Sequence, residues 1–336
     1  MTTTHSESGF SLAELLVATA VLLVVSSIVT SALLQMTQSQ STIWNRTEMH
    51  SGIRGATELL QQEVGQAGRV SVPGTTAFPG VIILQTAVTP LPGATCNPGD
   101  PSAGAVTVQV SSTAGIFVSI APSAHMLLTT MDGDAKESIK VAAVSPGAST
   151  IDACFTSPHA AGTVMMPLGS FATGVIPNTG MPNGSSPTVL KLYGDINGDG
   201  DMVYVEYTCD STVDHNLYRQ VIPFDADPVE KKAVEPSMIL LGNVIPNPGT
   251  PPIDCFTYQT ATMKVQGTDF TFVLDVAVTL TIETELIDTV TRKKQTETKA
   301  LLNVSPRNVF SAWMLAGMSY TDRIQSTPAT VTALLP

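Results

Sequence analysis

With 336 residues and 43% hydrophobic side chains, the chain is long enough for one large domain or two ordinary ones, and it can bury a sizeable core. Only 13% of residues are Asp, Glu, Lys or Arg, while 25 Gly and 23 Pro accompany recurrent Thr and Val, so turns and strands should outweigh surface helices. A net charge of −12 repels phosphate backbones and argues against general nucleic-acid binding. From Leu15 to Asn45 no residue is charged, and Leu15 to Leu34 is a run of Leu, Val, Ala and Ile with a few hydroxyls. That is the length of one membrane-spanning helix. Ser26, Ser27, Thr30 and Ser31 are compatible with it, because hydroxyls bond back to helix carbonyls four residues earlier. Glu14 stands at the edge of the run, where a carboxylate entering hydrocarbon costs on the order of 2.5–3.5 kcal/mol without a partner. It needs a cation.

Beyond the run, Ile53, Ala56, Leu60, Val64 and Ala67 fall at spacings of three and four, with Arg54, Glu58, Gln62 and Glu63 elsewhere on the wheel. One continuous helix is expected from Phe10 to about Ala67, roughly 85 Å at 1.5 Å per residue. Gly52, Gly55 and Gly65 mark close packing or bends, and Gly68 is a natural stop.

Residues Gly9-Phe10-Ser11-Leu12-Ala13-Glu14-Leu15-Leu16-Val17-Ala18 resemble the prepilin motif of type IV pilins and pseudopilins. The resemblance implies a membrane peptidase that cuts after Gly9 and methylates the new amine of Phe10. It also implies an assembly role for Glu14, facing that amine on an adjacent subunit. The competing reading is an ordinary signal peptide cut near Thr30-Ser31-Ala32; Glu14 before the apolar run and the lack of Lys or Arg ahead of it argue against that. Prepilin leaders are usually basic, whereas residues 1–9 offer only His5 and the α-amine.

The expected fold class is α+β: a long N-terminal helix, membrane-spanning in its first half, packed on a large, mostly antiparallel, β-rich head. Residues 1–9 form the leader, 10–34 the transmembrane half, 35–68 the amphipathic half, and 69–336 the extracytoplasmic head. Six prolines between Val70 and Gly104 leave one short strand there, Val81 to Leu84. Strand-like alternation follows at 105–110, 116–120, 139–144 and 189–193, and most clearly at 270–282, where every even position is apolar. Loops rich in Pro and Gly separate these at 166–187 and 244–252. Val203-Tyr204-Val205-Glu206-Tyr207 with Asn216-Leu217-Tyr218-Arg219 resembles the hairpin of the PilW- or PulJ-like minor-pilin and pseudopilin branch, and residues 303–309 resemble its last strand.

Cys96, Cys154, Cys209 and Cys255 lie in no CxxC pair, and behind an export signal they read as two disulfides. Three pairings exist; Cys96 with Cys154 and Cys209 with Cys255 is preferred because it staples neighbouring stretches, each bridge contributing roughly 3–4 kcal/mol. The segment Asp195-Ile196-Asn197-Gly198-Asp199-Gly200-Asp201, with Glu206 beyond it, has the calcium-loop spacing D-x-N-x-D-G-x5-E. Asp195, Asn197, Asp199 and Asp201 are the expected ligands of a structural Ca2+, with Glu206 on a strand-like stretch. A polar hairpin turn is the plainer alternative.

No G-x-S-x-G, H-E-x-x-H or phosphate-binding glycine loop is present, and His5, His50, His125, His159 and His215 are scattered, so no enzyme is expected. The resemblance implies a minor pilin of a type IV pilus, with a type II secretion pseudopilin or a pilin-anchored adhesive module as alternatives. Partners would be other pilins or pseudopilins, the prepilin peptidase and the inner-membrane assembly platform. The chain would sit single-pass in the cytoplasmic membrane, head outside, before reaching the pilus or cell surface.

Overall fold

The computed structural model describes residues 11–72, 81–93, 95–97, 100–118, 125–265, 268–288 and 291–335. The chain forms two compact units: Met1–Ser51 with Glu283–Glu297, and Gly52–Ile282 with Thr298–Pro336. Helix α1, Leu12–Gln66, runs through both.

In the first unit the large apolar side chains of α1 from Leu12 to Met36 are all exposed, as are Ile43 and Trp44. Such a surface is stable only against lipid or other helices. Thr19, Ser27 and Thr37 donate to the carbonyls of Leu16, Val24 and Leu34, three residues earlier instead of the expected four. These hydroxyls are therefore satisfied inside the helix.

In the second unit α1 buries Ile53, Ala56, Leu60, Val64 and Ala67, the expected stripe. Gly52 faces Leu241 at a distance where an added Cβ would lie 3.2 Å from its Cδ1, while Gly55 and Gly65 face open space. Only Gly52 marks close packing. Gly68 ends the helix with a φ of +82°, and an added Cβ on Gly174 would fall 2.1 Å from the Gly68 Cα. Two glycines are needed for that crossing.

Among the described residues three antiparallel sheets follow. The first orders its strands Ile82–Ile83, Val164–Met166, Leu127–Thr130, Ser138–Ser145, Thr150–Ala153 and Val106–Gln109 around a core that includes Met126, Leu128, Ile139, Val141 and Phe155. The second runs Ile239–Gly242, Asn216–Pro223, Val203–Asp210, Val189–Gly194. In the third, Thr268–Glu283 is flanked by Val244–Ile245 and Phe256–Val265 and also pairs with Thr296–Val304. Its even positions Phe272, Val276, Val278, Leu280 and Ile282 are buried, but the ladder skips Leu274 at a bulge, where Val273 is buried instead. A two-stranded parallel pair, Ser170–Phe171 with Ile324–Gln325, completes the described strands.

Two sequence expectations are corrected. Residues 303–309 are not one strand: Thr296–Val304 ends there and helix α2, Arg307–Gly317, begins after Pro306. Val309, Ala312 and Ala316 form the buried stripe of α2. No strand forms at 116–118, because the Ile116 amide turns back to the Thr113 carbonyl; residues 119–120 lie outside the described residues.

Disulfides join Cys96 to Cys154 and Cys209 to Cys255. The second ties the end of Val203–Asp210 to the start of Phe256–Val265, linking two sheets.

Candidate functional site

The first turn of α1 explains how Glu14 is held. Ser11 precedes the first helical residue, and its hydroxyl accepts from the Glu14 amide at 3.2 Å. Glu14 Oε2 in turn accepts from the Ser11 amide at 2.9 Å. This is a reciprocal capping box, S-x-x-E, which satisfies two otherwise orphaned amides and sets a carboxylate against the positive end of the helix. The S-x-x-E spacing is legible in Ser11-Leu12-Ala13-Glu14, and the cap comes in addition to the assembly role expected of the Glu14 charge. Gly9 and Phe10, the expected processing residues, lie outside the described residues. Among the described residues one helix, α1, is long and apolar enough to cross a membrane.

A second charged group fixes the other half of α1. Glu63, which lies off the apolar stripe of the wheel, is nevertheless 3% exposed. Its Oε2 accepts from the Tyr207 hydroxyl and from Arg219 Nε at 3.2 Å, while Arg219 Nη2 reaches Oε1. Tyr207 and Arg219 are direct cross-strand partners, so the register of one hairpin places both donors on the face that meets α1. Burial opposes the charge on Arg219, but the bond and charge of Glu63 raise its pKa. Burial, then Glu63, pushes the Tyr207 phenol up as well. The hairpin residues were noticed in the sequence; their long-range partner was not.

The acidic loop is arranged differently from a calcium cage. Asp195 is 1% exposed, accepts from the Gly200 amide at 3.4 Å and faces Arg69 Nε at 3.5 Å. A Cβ added to Gly198 would lie 2.9 Å from Arg69 Nη1, so the guanidinium occupies the hollow of the turn. Asp199 accepts from the Asp201 amide at 3.0 Å, closing a local turn. Glu206 is turned elsewhere: it accepts from the Tyr204 hydroxyl at 2.6 Å and pairs with Lys231 at 2.8 Å and Lys191 at 3.8 Å. The reason is strand phase, because Glu206 and its ladder partner Lys191 share the sheet face opposite Tyr207. Among the described residues no three His, Cys, Asp or Glu side chains converge as a metal site. Glu206 is therefore engaged away from the loop, while Asp195, Asn197, Asp199 and Asp201 stay on a turn that Arg69 enters.

Of the histidines, His159 has the unusual setting. It is buried between two carboxylates, Nδ1 on Asp132 and Nε2 on Glu137 at 2.7 Å. A neutral ring would present a lone pair to one of them; the doubly protonated ring donates to both. Burial lowers the His159 pKa, but the bonds and charges of Asp132 and Glu137 outweigh it and raise the group above its ordinary 6.5. Burial raises Glu137, but bonds from Thr156, His159 and the Thr156 and Ser157 amides lower it below 4.5. A raised histidine contributes stability below its unfolded value and loses it as pH rises through the folded one; a lowered carboxylate contributes above its unfolded value and loses it as pH falls. The thermal midpoint is thus expected to drop as pH rises above about 6.5, and His159→Gln to flatten that limb in a pH series of melting curves. A midpoint that holds constant there in the unsubstituted protein would contradict the charged ring.

In comparison with known families, residues 4–30 match the prokaryotic N-terminal methylation motif. No curated protein and no solved structure matches the chain. The matched stretch holds Gly9, Phe10, the Ser11–Glu14 cap and most of the apolar run, up to Thr30. The match supports a type IV pilin-like N-terminus, and together with the apolar helix α1 it fits a membrane-anchored protein.

Proposed function

We propose that this chain is a minor pilin of the PilW- or PulJ-like branch, cut after Gly9, methylated at Phe10 and inserted single-pass in the cytoplasmic membrane with its head outside. Its part is to prime or cap a type IV filament. The observation that carries the proposal is the methylation motif at 4–30 leading into a helix whose capped Glu14 opens a wholly exposed apolar surface. In hydrocarbon that carboxylate needs a cation, and the amine of a processed neighbouring subunit supplies one. The large head, with three sheets and two disulfides, suits a subunit present in few copies at a tip better than one repeated along a shaft. Shearing filaments from cells tests it: the protein should sediment with them in small amount. Its absence from filaments that are otherwise complete would contradict the assignment.

At the acidic loop, a calcium ion is proposed only with Asp195, Asn197, Asp199 and Asp201 as its ligands, and it must displace Arg69. Calorimetric titration of the full-length chain in detergent should then show weak binding that tightens on Arg69→Ala and disappears on Asp199→Ala. No heat in the unsubstituted protein or in Arg69→Ala removes calcium from the account.

A further inference from the structure

The first unit contains, besides the N-terminal part of α1, the connection between the last two strands of the third sheet, Glu283–Glu297. Two contacts fix it to the helix: Arg46 Nε donates to Gln295 Oε1, and His50 pairs with Glu297. These contacts also give a direction. Passing from Glu297 to Gln295 advances about 7 Å along a strand, and passing from His50 to Arg46 advances about 6 Å along a helix. The connection therefore runs beside α1 toward its apolar N-terminal run. Beyond Gln295, which bonds Thr284 in both directions, the chain turns at Asp288, whose amide donates to the Lys293 carbonyl at 3.1 Å. Asp288 is buried and accepts from the Thr291 amide and the Gln295 side chain, at 2.8 and 2.6 Å.

What this closed turn shows to solvent is unusual in an acidic chain. Leu286 and Ile287 are 56% and 60% exposed, next to exposed Arg292 and Lys293; Glu285 is the exposed carboxylate beside them, and Lys294 pairs with Glu283. Two to three strand residues beyond the Arg46 contact place Leu286 and Ile287 roughly 7–10 Å further toward the N-terminus, level with helix residues near 40. The exposed apolar run ends at Met36, about 6 Å away along the helix, and the exposed Trp44 lies on the other side of that level. A bilayer's polar layer is about 5–7 Å thick on each side of its hydrocarbon. Apolar tip, paired cations and an adjacent tryptophan at that depth are the components of an interfacial anchor.

We infer that the 283–297 connection is a foot that rests on the membrane crossed by α1, with Leu286 and Ile287 entering the headgroup layer and Arg292 and Lys293 contacting anionic lipid phosphates. This rests on the reading that α1 spans a bilayer. The foot would hold the unassembled subunit at a fixed depth and would have to lift when the helix leaves the membrane for a filament.

The test uses the full-length chain in vesicles of phosphatidylcholine with or without phosphatidylglycerol. All four native cysteines are paired, so a single introduced cysteine takes an environment-sensitive fluorophore. Labels go at Ile287→Cys, at Leu22→Cys within the apolar run, and at Val213→Cys, an exposed position in the second unit. Expected are a blue shift and quenching by spin-labelled lipid at 22 and 287 but not 213, stronger at 287 with phosphatidylglycerol and weakened there by Arg292→Glu with Lys293→Glu. Quenching at 22 with none at 287 overturns the foot and leaves the spanning helix intact. Absence of quenching at 22 overturns both. A shift at 287 that follows protein concentration and ignores lipid assigns the patch to a second copy and also overturns the inference.

Discussion

Glu14→Gln is expected to leave the protein processed and membrane-bound yet remove it from sheared filaments. Glutamine keeps the reciprocal cap with Ser11, since either residue serves at the third helical position, so the first turn of α1 should survive. What disappears is the charge. If the neighbouring amine offsets the roughly 2.5–3.5 kcal/mol cost of a carboxylate at the edge of hydrocarbon, losing the pair should reduce incorporation by about a hundredfold. Ser11→Ala is the matched control: it removes the cap, at a cost of about 1 kcal/mol, and retains the charge. Immunoblots of filament and membrane fractions separate the cases. Ordinary incorporation of Glu14→Gln would end the assembly role of the carboxylate, and an equal defect in Ser11→Ala would transfer it to the cap.

The largest effect on stability is expected at Glu63. Removing one partner of a buried ion pair leaves an uncompensated charge and costs about 3–5 kcal/mol. In Glu63→Ala, Arg219 and the Tyr207 hydroxyl lose their shared acceptor beneath α1, and the thermal midpoint should fall by about 10 °C. Combining Glu63→Leu, Arg219→Leu and Tyr207→Phe should recover most of that loss, because an apolar replacement of a whole buried network is often close to neutral. Circular-dichroism melts of the two variants decide it. If the triple variant is no more stable than Glu63→Ala, the ion pair and its hydrogen bonds, and not an uncompensated charge left by their loss, govern this contact.

The parts of the fold that the sequence disclosed are those written in periodicity. The apolar run, the stripe from Ile53 to Ala67 and the strand around 270–282 each repeat with their element's own spacing, and each is in place. Glu63 was hidden because a wheel sorts residues by polarity, and its burial depends on an arginine 156 residues away in the chain. Residues 303–309 were misread because Asn303 and Val304 continue a strand pattern; only the stripe of Val309, Ala312 and Ala316 beyond Pro306 reveals the helix. In the acidic loop, residue types and spacing suggested a calcium cage, but strand phase gives Glu206 to Lys231 and tertiary packing brings Arg69 into the turn. The proposed foot is the least legible, since Leu286 and Ile287 gain their meaning only through the contacts of Gln295 and Glu297 with α1.

The most direct measurement is the mass of the N-terminal peptide of the protein recovered from membranes. A mature chain starting at Phe10 with one added methyl group is the predicted result. A chain still starting at Met1, or one starting just after Ala32 as ordinary signal cleavage would leave it, would contradict the account.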